Sequence, residues 1–261
     1  MKNQSYPQFG DTIATSGDGI TEVTKSKETQ EISHIQSAFD ATLRDANLES
    51  ITENVTELSI DSLLKDGILK EVPIVSTMVS LVKLGANVQD RLFLKKIVSF
   101  MAGLNEISPE ERRRMIDKID APGKQRIKVG EKLLYVIDAC NDHESSELVA
   151  HLFKVFVEEK ITYDEFLQGS NILNKITGQD FRWFLSNARN YMSAEDVGSL
   201  ISSGLFDLYY EPVNVRVKDQ DDYKMVAYED KYKTEVDGGE MKVTISQVGK
   251  IIMLTFGEKK I

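Results

Sequence analysis

The sequence predicts a mainly α protein: a multi-helix body followed by a small α+β module. Three observations carry this. From Gln30 to Leu48 apolar residues recur at three to five positions, close to a helical stripe, and further helical segments follow to Tyr191. Five prolines and 16 glycines in 261 residues leave room for long helices rather than many short strands. Beyond residue 190 the runs LYYEPVNVRV and KMVAYEDKYKTEV bring the Val, Tyr and Thr expected of strands. The expected division is 1–30 as a flexible amino-terminal arm, 31–190 as the helical body and 191–261 as the α+β module.

Residues 1–30 hold few large apolar groups, too few to offset the entropy of ordering them. Ile32, Ile35, Phe39, Leu43 and Leu48 then mark a first helix over Gln30–Leu48. Ser50–Lys70 repeats the pattern less regularly until Pro73 interrupts it. Val72–Ala86 is apolar on nearly every side, which predicts a central helix buried all round and ended by Gly85. Its 15 residues, interrupted by Lys83, fall short of the ~20 needed to span a bilayer. In Val88–Leu104 one face is apolar (Val88, Leu92, Phe93, Ile97, Phe100, Met101), while Arg91, Lys95, Lys96 and Ser99 fall on the other.

Ser108-Pro109-Glu110-Glu111 is a helix start: a capping serine, proline at the first position and glutamate at the third. Ala121-Pro122-Gly123 closes that element. Further helices are expected over Ile127–Cys140, Ser146–Glu159, Tyr163–Ile176 and Gln179–Tyr191. A short helix over Ser193–Gly204 precedes the strands, Asp237-Gly238-Gly239-Glu240 reads as a turn, Met241–Thr244 as a pairing strand, and Ile245–Phe256 as a last helix.

The net charge of −10 is uneven: −7 over residues 1–82, +5 over 83–132 and −8 over the remainder. Phosphate neutralisation needs a basic footprint, so the overall balance argues against nucleic acid as the main partner. The single cysteine, Cys140, excludes an intramolecular disulfide and suits a reducing compartment. The amino-terminal stretch has no apolar segment of the secretory type, so the expected location is the cytoplasm, with the inner-membrane surface as an alternative.

No catalytic, cofactor or metal residue is assigned. A calcium loop ending at Glu165 would place Lys154 and Phe156 at ligand positions, so Thr162 and Glu165 read as a helix cap instead. Asp138, Cys140, Asp142, His143 and Glu144 gather metal-capable groups, but no second Cys/His pair stands at metal spacing; an inter-helix loop is expected, with His151 worth a test substitution. No nucleophile elbow or phosphate-cradling glycine loop is present.

Two resemblances add to this. Glu131–Asp138 (EKLLYVID), Leu148–Phe156 and Ile161–Phe166 lie in a region, about Ile68–Asn190, that resembles the all-helical domains of the tellurite-resistance type found in bacterial stress and phage-defence proteins. None of that family's metal-binding acids is matched position by position. Asp180–Gly257 is similar to a winged helix, a fold that binds DNA or serves protein contacts. It departs from the DNA-binding pattern in SAEDVGSLISSG, which holds Glu195 and Asp196 and no basic residue.

The resulting expectation is a non-enzymatic interaction protein, with stress or phage defence as the setting the resemblance implies. Protein partners or self-association are expected through the 74–128 region, with peripheral membrane contact as a second mode. The candidate surface is Met78, Val82, Arg91, Lys95, Lys96, Arg112, Arg113 and Arg114. A nucleic-acid-associated winged helix and an enzyme with an unrecognised site are the alternatives.

Overall fold

The computed structural model describes residues 18–48, 51, 69, 71–83, 87–121, 127–219 and 232–257. The body comprises α1 (Asp18–Asp45), α2 (Pro73–Lys83), α3 (Val88–Gly103), α4 (Pro109–Ile119), α5 (Val129–Asp138), α6 (His143–Val157), α7 (Tyr163–Leu173) and α8 (Gly178–Asn187). The remainder comprises β1 (Met192–Ser193), α9 (Ala194–Val197), a 3₁₀ turn at Gly198–Ser203, β2 (Phe206–Tyr210), β3 (Asn214–Asp219), β4 (Tyr232–Asp237), β5 (Met241–Ile245) and α10 (Gln247–Phe256). The protein is thus mostly helical with a small antiparallel sheet region near its carboxy-terminal end, as the sequence predicts.

Local signals set most helix starts. Asn87 with Asp90, Ser108 with Glu111, Thr162 with Glu165 and Thr177 with Asp180 form reciprocal capping boxes on α3, α4, α7 and α8. Asp142 and Ser246 cap α6 and α10. α2 borrows its cap from another helix: Pro73 is its first residue, and the buried Thr42 hydroxyl of α1 accepts from the Ile74 amide at 3.0 Å while donating to the Ala38 carbonyl.

The centre of the body is the α3–α6 crossing, not α2. A Cβ at Gly103 would stand 2.6 Å from the Ala150 Cβ, so glycine there lets the two helices close. Around this contact runs a file of rings, Phe39 to Phe100 (6.3 Å), Phe100 to Phe153 (6.1 Å) and Phe153 to Phe166 (5.4 Å). α2 buries one face (Ile74, Val75, Met78, Val79 and Val82) and turns Ser76, Thr77 and Ser80 outward, so it is not apolar all round in effect. Ser99, expected outside, is fully buried on α3.

Two further expectations change. α1 begins at Asp18, inside the segment expected to be a flexible arm. The helix expected over Ser193–Gly204 is four residues of α9 followed by a tighter 3₁₀ turn, ended by Gly204 at φ 96°. The helical pattern of Ser50–Lys70, apart from Ile51 and Leu69, lies outside the described residues, as do Gly85, Pro122-Gly123 and all of KMVAYED.

The sheet differs most. β5 pairs with both β1 and β2, and β3 pairs with β4. One register runs through both pairs, from Phe206↔Ile245 through Tyr210↔Met241 to Asn214↔Asp237 and Asp219↔Tyr232. β2 and β3 are therefore one edge of a single ribbon, and β4 and β5 the other, over roughly 45 Å of strand at ~3.3 Å per residue. Hydrogen bonds from Glu211 N to Glu240 O and from Gly239 N to Glu211 O carry the pairing across the joint. Asp237–Glu240 is that joint rather than a reversal of the chain. Gly238, at φ 88°, admits the Pro212 carbonyl to within 2.2 Å of where a Cβ would stand.

Candidate interaction surfaces

The basic cluster expected to form one surface is divided by the fold. Arg112 lies inside the protein, 1% exposed. Its Nε donates to the Leu43 carbonyl (2.8 Å), Nη1 to Ile107 (2.7 Å) and Leu104 (3.5 Å), and Nη2 to Ala46 (2.5 Å). These oxygens lie at the carboxy-terminal ends of α1 and α3, where helical carbonyls have no partner in their own helix and the dipole favours a cation. Burial pushes the Arg112 pKa down to about 10, partly opposed by Glu110, so the group remains a cation at neutral pH. It is a structural clamp between α1, the α3–α4 loop and α4.

Met78 and Val82 are likewise buried, on the core face of α2, and offer nothing to a membrane or partner. Arg113 is exposed but pairs with Asp45 of α1. Lys96 donates to the last carbonyl of α5, Asp138 O, at 2.8 Å, while its own carbonyl accepts from Ser146 Oγ. Arg91 and Arg114 are exposed and Lys95 is half-buried. Of the expected surface, then, Met78, Val82 and Arg112 are interior, because the amphipathic faces of α2 and α4 both turn toward α1. Exposed Val88 and Leu92 remain beside Arg91 and Lys95 as a smaller apolar strip on α3.

The inter-helix loop expected at Asp138–Glu144 joins α5 to α6. Asp142 accepts from Ser145 N and Oγ at 2.7 and 2.8 Å; burial opposes its charge, and these bonds outweigh it, holding the carboxyl below its ordinary range. Cys140 is buried, with its thiol pushed up to about 11, chiefly by burial. Among the described residues no group of three or more His, Cys, Asp and Glu is placed to hold a metal. None of the described helices is long and apolar enough to cross a membrane.

Uncovered apolar side chains also gather on the ribbon. Val215 (61% exposed) and Val217 (62%) stand opposite Val236 (65%) and Thr234 on one face of β3–β4. Arg216 opposite Glu235 and Asn214 opposite Asp237 make the other face polar. At the base, Leu208, Tyr209, Tyr210 and Val213 are exposed as well, and Tyr209 meets the exposed Tyr191 edge-on at 6.4 Å. Tyr191 sits at φ 62°, a left-handed conformation that a bulky residue adopts at a cost and that concentrates at functional sites.

No family model, curated protein or solved structure matches this chain. The functional reading therefore rests on its own surfaces. The ribbon residues were visible in the sequence only as strand formers. Alternation in NVRV and TEVD marks two faces, but nothing local says that the apolar one stays bare.

Proposed function

We propose that this is an interaction protein rather than an enzyme, and that its β2–β5 ribbon is the element that engages a partner. The observation behind this is the bare face of Val215, Val217 and Val236 on a projecting two-stranded pair. An isolated two-stranded hairpin is at best marginally stable in water, and contiguous exposed apolar surface commonly marks a binding site. Among the described residues the outer edges of β3 and β4 pair with no further strand, and a partner strand would satisfy their backbone groups. The helical body serves as the rigid mount, with α10 packed on α6 and α7 directly after β5.

Nucleic acid fits this surface less well. Residues 206–219 and 232–245 hold six acidic and four basic groups, and the segment between β1 and β2 is short and has no basic residue. The stress and phage-defence setting comes from the tellurite-resistance resemblance alone, and the interaction reading does not depend on it.

A photo-activatable cross-linker placed at Val217, with a second at exposed Lys175 on the body as control, tests the reading in the native host. A discrete adduct from position 217, absent from 175 and lost when Val215 and Val236 become Asp, is the expected result. Equal adducts from both positions, or none from 217, would refute it.

A further inference from the structure

A second site stands apart from the ribbon, in a groove of about 360 Å³ where α3, α6, α8 and α10 meet. Its floor is apolar. Phe181 of α8 and Phe256 of α10 meet edge-to-face at 5.3 Å, Leu148 of α6 lies beside them, and His151 stands edge-on to Phe256 at 6.3 Å. Gly169 on α7 lets α6 approach: a Cβ there would come 2.6 Å from Leu152 Cδ2, with Val248 of α10 in ordinary contact at 3.6 Å.

The rim is acidic. Glu106 closes it from the end of α3, and Asp142, Glu144 and Glu147 line it from α6, against Arg182 on the α8 side. Asp142 is held as the α6 cap, Glu106 pairs with Lys154, and Glu147 faces His151 Nε2 at 3.8 Å. The Glu144 backbone bonds to the Asp142 carboxylate, but its side chain makes no ion pair or hydrogen bond among the described residues and is exposed at the mouth. The lining holds four carboxylates, Glu106, Asp142, Glu144 and Glu147, against the one guanidinium of Arg182. Such a rim repels phosphate, anionic lipid and nucleic acid, and attracts a cation. The apolar floor favours a ligand that joins its cationic group to a hydrocarbon anchor, and the volume, at the small end of ligand sites, suits one or two side chains.

We infer that this groove docks a basic amphipathic segment of a partner protein, with an apolar side chain against half-buried Leu148, above the buried rings of Phe181 and Phe256, and a Lys or Arg at Glu144. The inference does not rest on the ribbon: the two surfaces share no residue.

The test uses the full chain and a fluorescein-labelled 14-residue peptide of Leu and Lys at helical spacing, read by anisotropy at about 50 mM salt, where exposed charges are least screened. The same peptide with Glu for Lys is the comparison. Expected are binding of the Lys peptide alone, steep weakening with salt, and about tenfold weaker binding by Glu144→Lys, the scale of one reversed rim contact. Glu144→Gln should weaken it less. Glu195→Lys, an equal charge reversal on exposed α9, should leave it unchanged. Equal losses from Glu144→Lys and Glu195→Lys would show attraction to net charge only and overturn the site. Binding of the Glu peptide, unaltered binding by Glu144→Lys, or no binding of the Lys peptide would overturn it too.

Discussion

Replacing Arg112 with Ala removes a buried cation from three close carbonyl contacts, to Leu43, Ile107 and Ala46 at 2.5 to 2.8 Å. Hydrogen bonds to a charged group contribute ~1.5–3 kcal/mol each, and truncating one partner of a buried charged set costs ~3–5 kcal/mol. The lower end of the per-bond range, taken three times, falls inside the second range, so the expected loss is about 4 kcal/mol. That is a large share of the ~5–15 kcal/mol that holds a domain folded, and corresponds to about 10 °C in Tm for a chain of this size. Urea unfolding followed by far-UV circular dichroism measures it. Arg113→Ala and Arg114→Ala, both exposed, should stay within about 0.5 kcal/mol of wild type. Arg112→Lys keeps the charge but cannot present a planar fork to carbonyls of two helix ends, so about half the loss should remain. Arg112→Ala indistinguishable from Arg114→Ala would refute the clamp, and a fully stable Arg112→Lys would reduce it to charge alone. One practical consequence follows for membrane assays: reversing Arg112, Arg113 and Arg114 together reports on unfolding before it reports on lipid.

Cys140 should resist thiol reagents in the folded protein at pH 7 to 8, since burial holds the thiol protonated. Its pKa, raised from 9.0 to about 11, means the folded state holds the proton more tightly than the unfolded one. Its contribution to stability is full below pH 9 and is lost as pH rises through about 11, so the stability gap between wild type and Cys140→Ala should narrow by about 2 kcal/mol over that window. A gap that is flat from pH 8 to 11 would contradict this. Glu159 takes the left-handed position after α6 at φ 59°, with Lys160 N bonded to Val155 O and Glu159 N to Phe156 O, the helix-ending arrangement glycine favours. Glu159→Gly should therefore raise stability by about 0.5 kcal/mol despite losing the exposed pair with Lys118, a gain readable in the urea midpoint.

Where the determinants were local, the sequence was readable. The box at Ser108 and Glu111 and the cap at Thr162 and Glu165 need only three-residue spacing, and both helices begin where those residues say. Apolar periodicity found the body for the same reason. Non-local pairing was not readable. Asp-Gly-Gly is a turn signal by composition, yet β4 and β5 do not pair with each other; β3 and β2, residues away in sequence, decide that Gly238 and Gly239 form a joint in a ribbon. The groove is hidden likewise, because its walls come from several helices; Asp142, Glu144 and His151 drew notice in the sequence, but nothing there brings them beside Phe181 and Phe256.

Arg112 was expected outside on the assumption that residue type reports exposure, an assumption that would equally have hidden Val217. An arginine goes inside when several helices end around one point, since the orphan carbonyls there supply what water would have supplied. A valine stays outside when its strand runs beyond the body that would cover it. Both departures depend on element ends, on where α1 and α3 stop and how far β2 and β5 continue past the core. With Arg112 inside and Val215, Val217 and Val236 outside, the proposed place of contact moves from charge on α4 to hydrocarbon on the ribbon. Binding there should accordingly be weakened by Val217→Asp and be nearly insensitive to salt, whereas contact at the groove rim should weaken steeply with it.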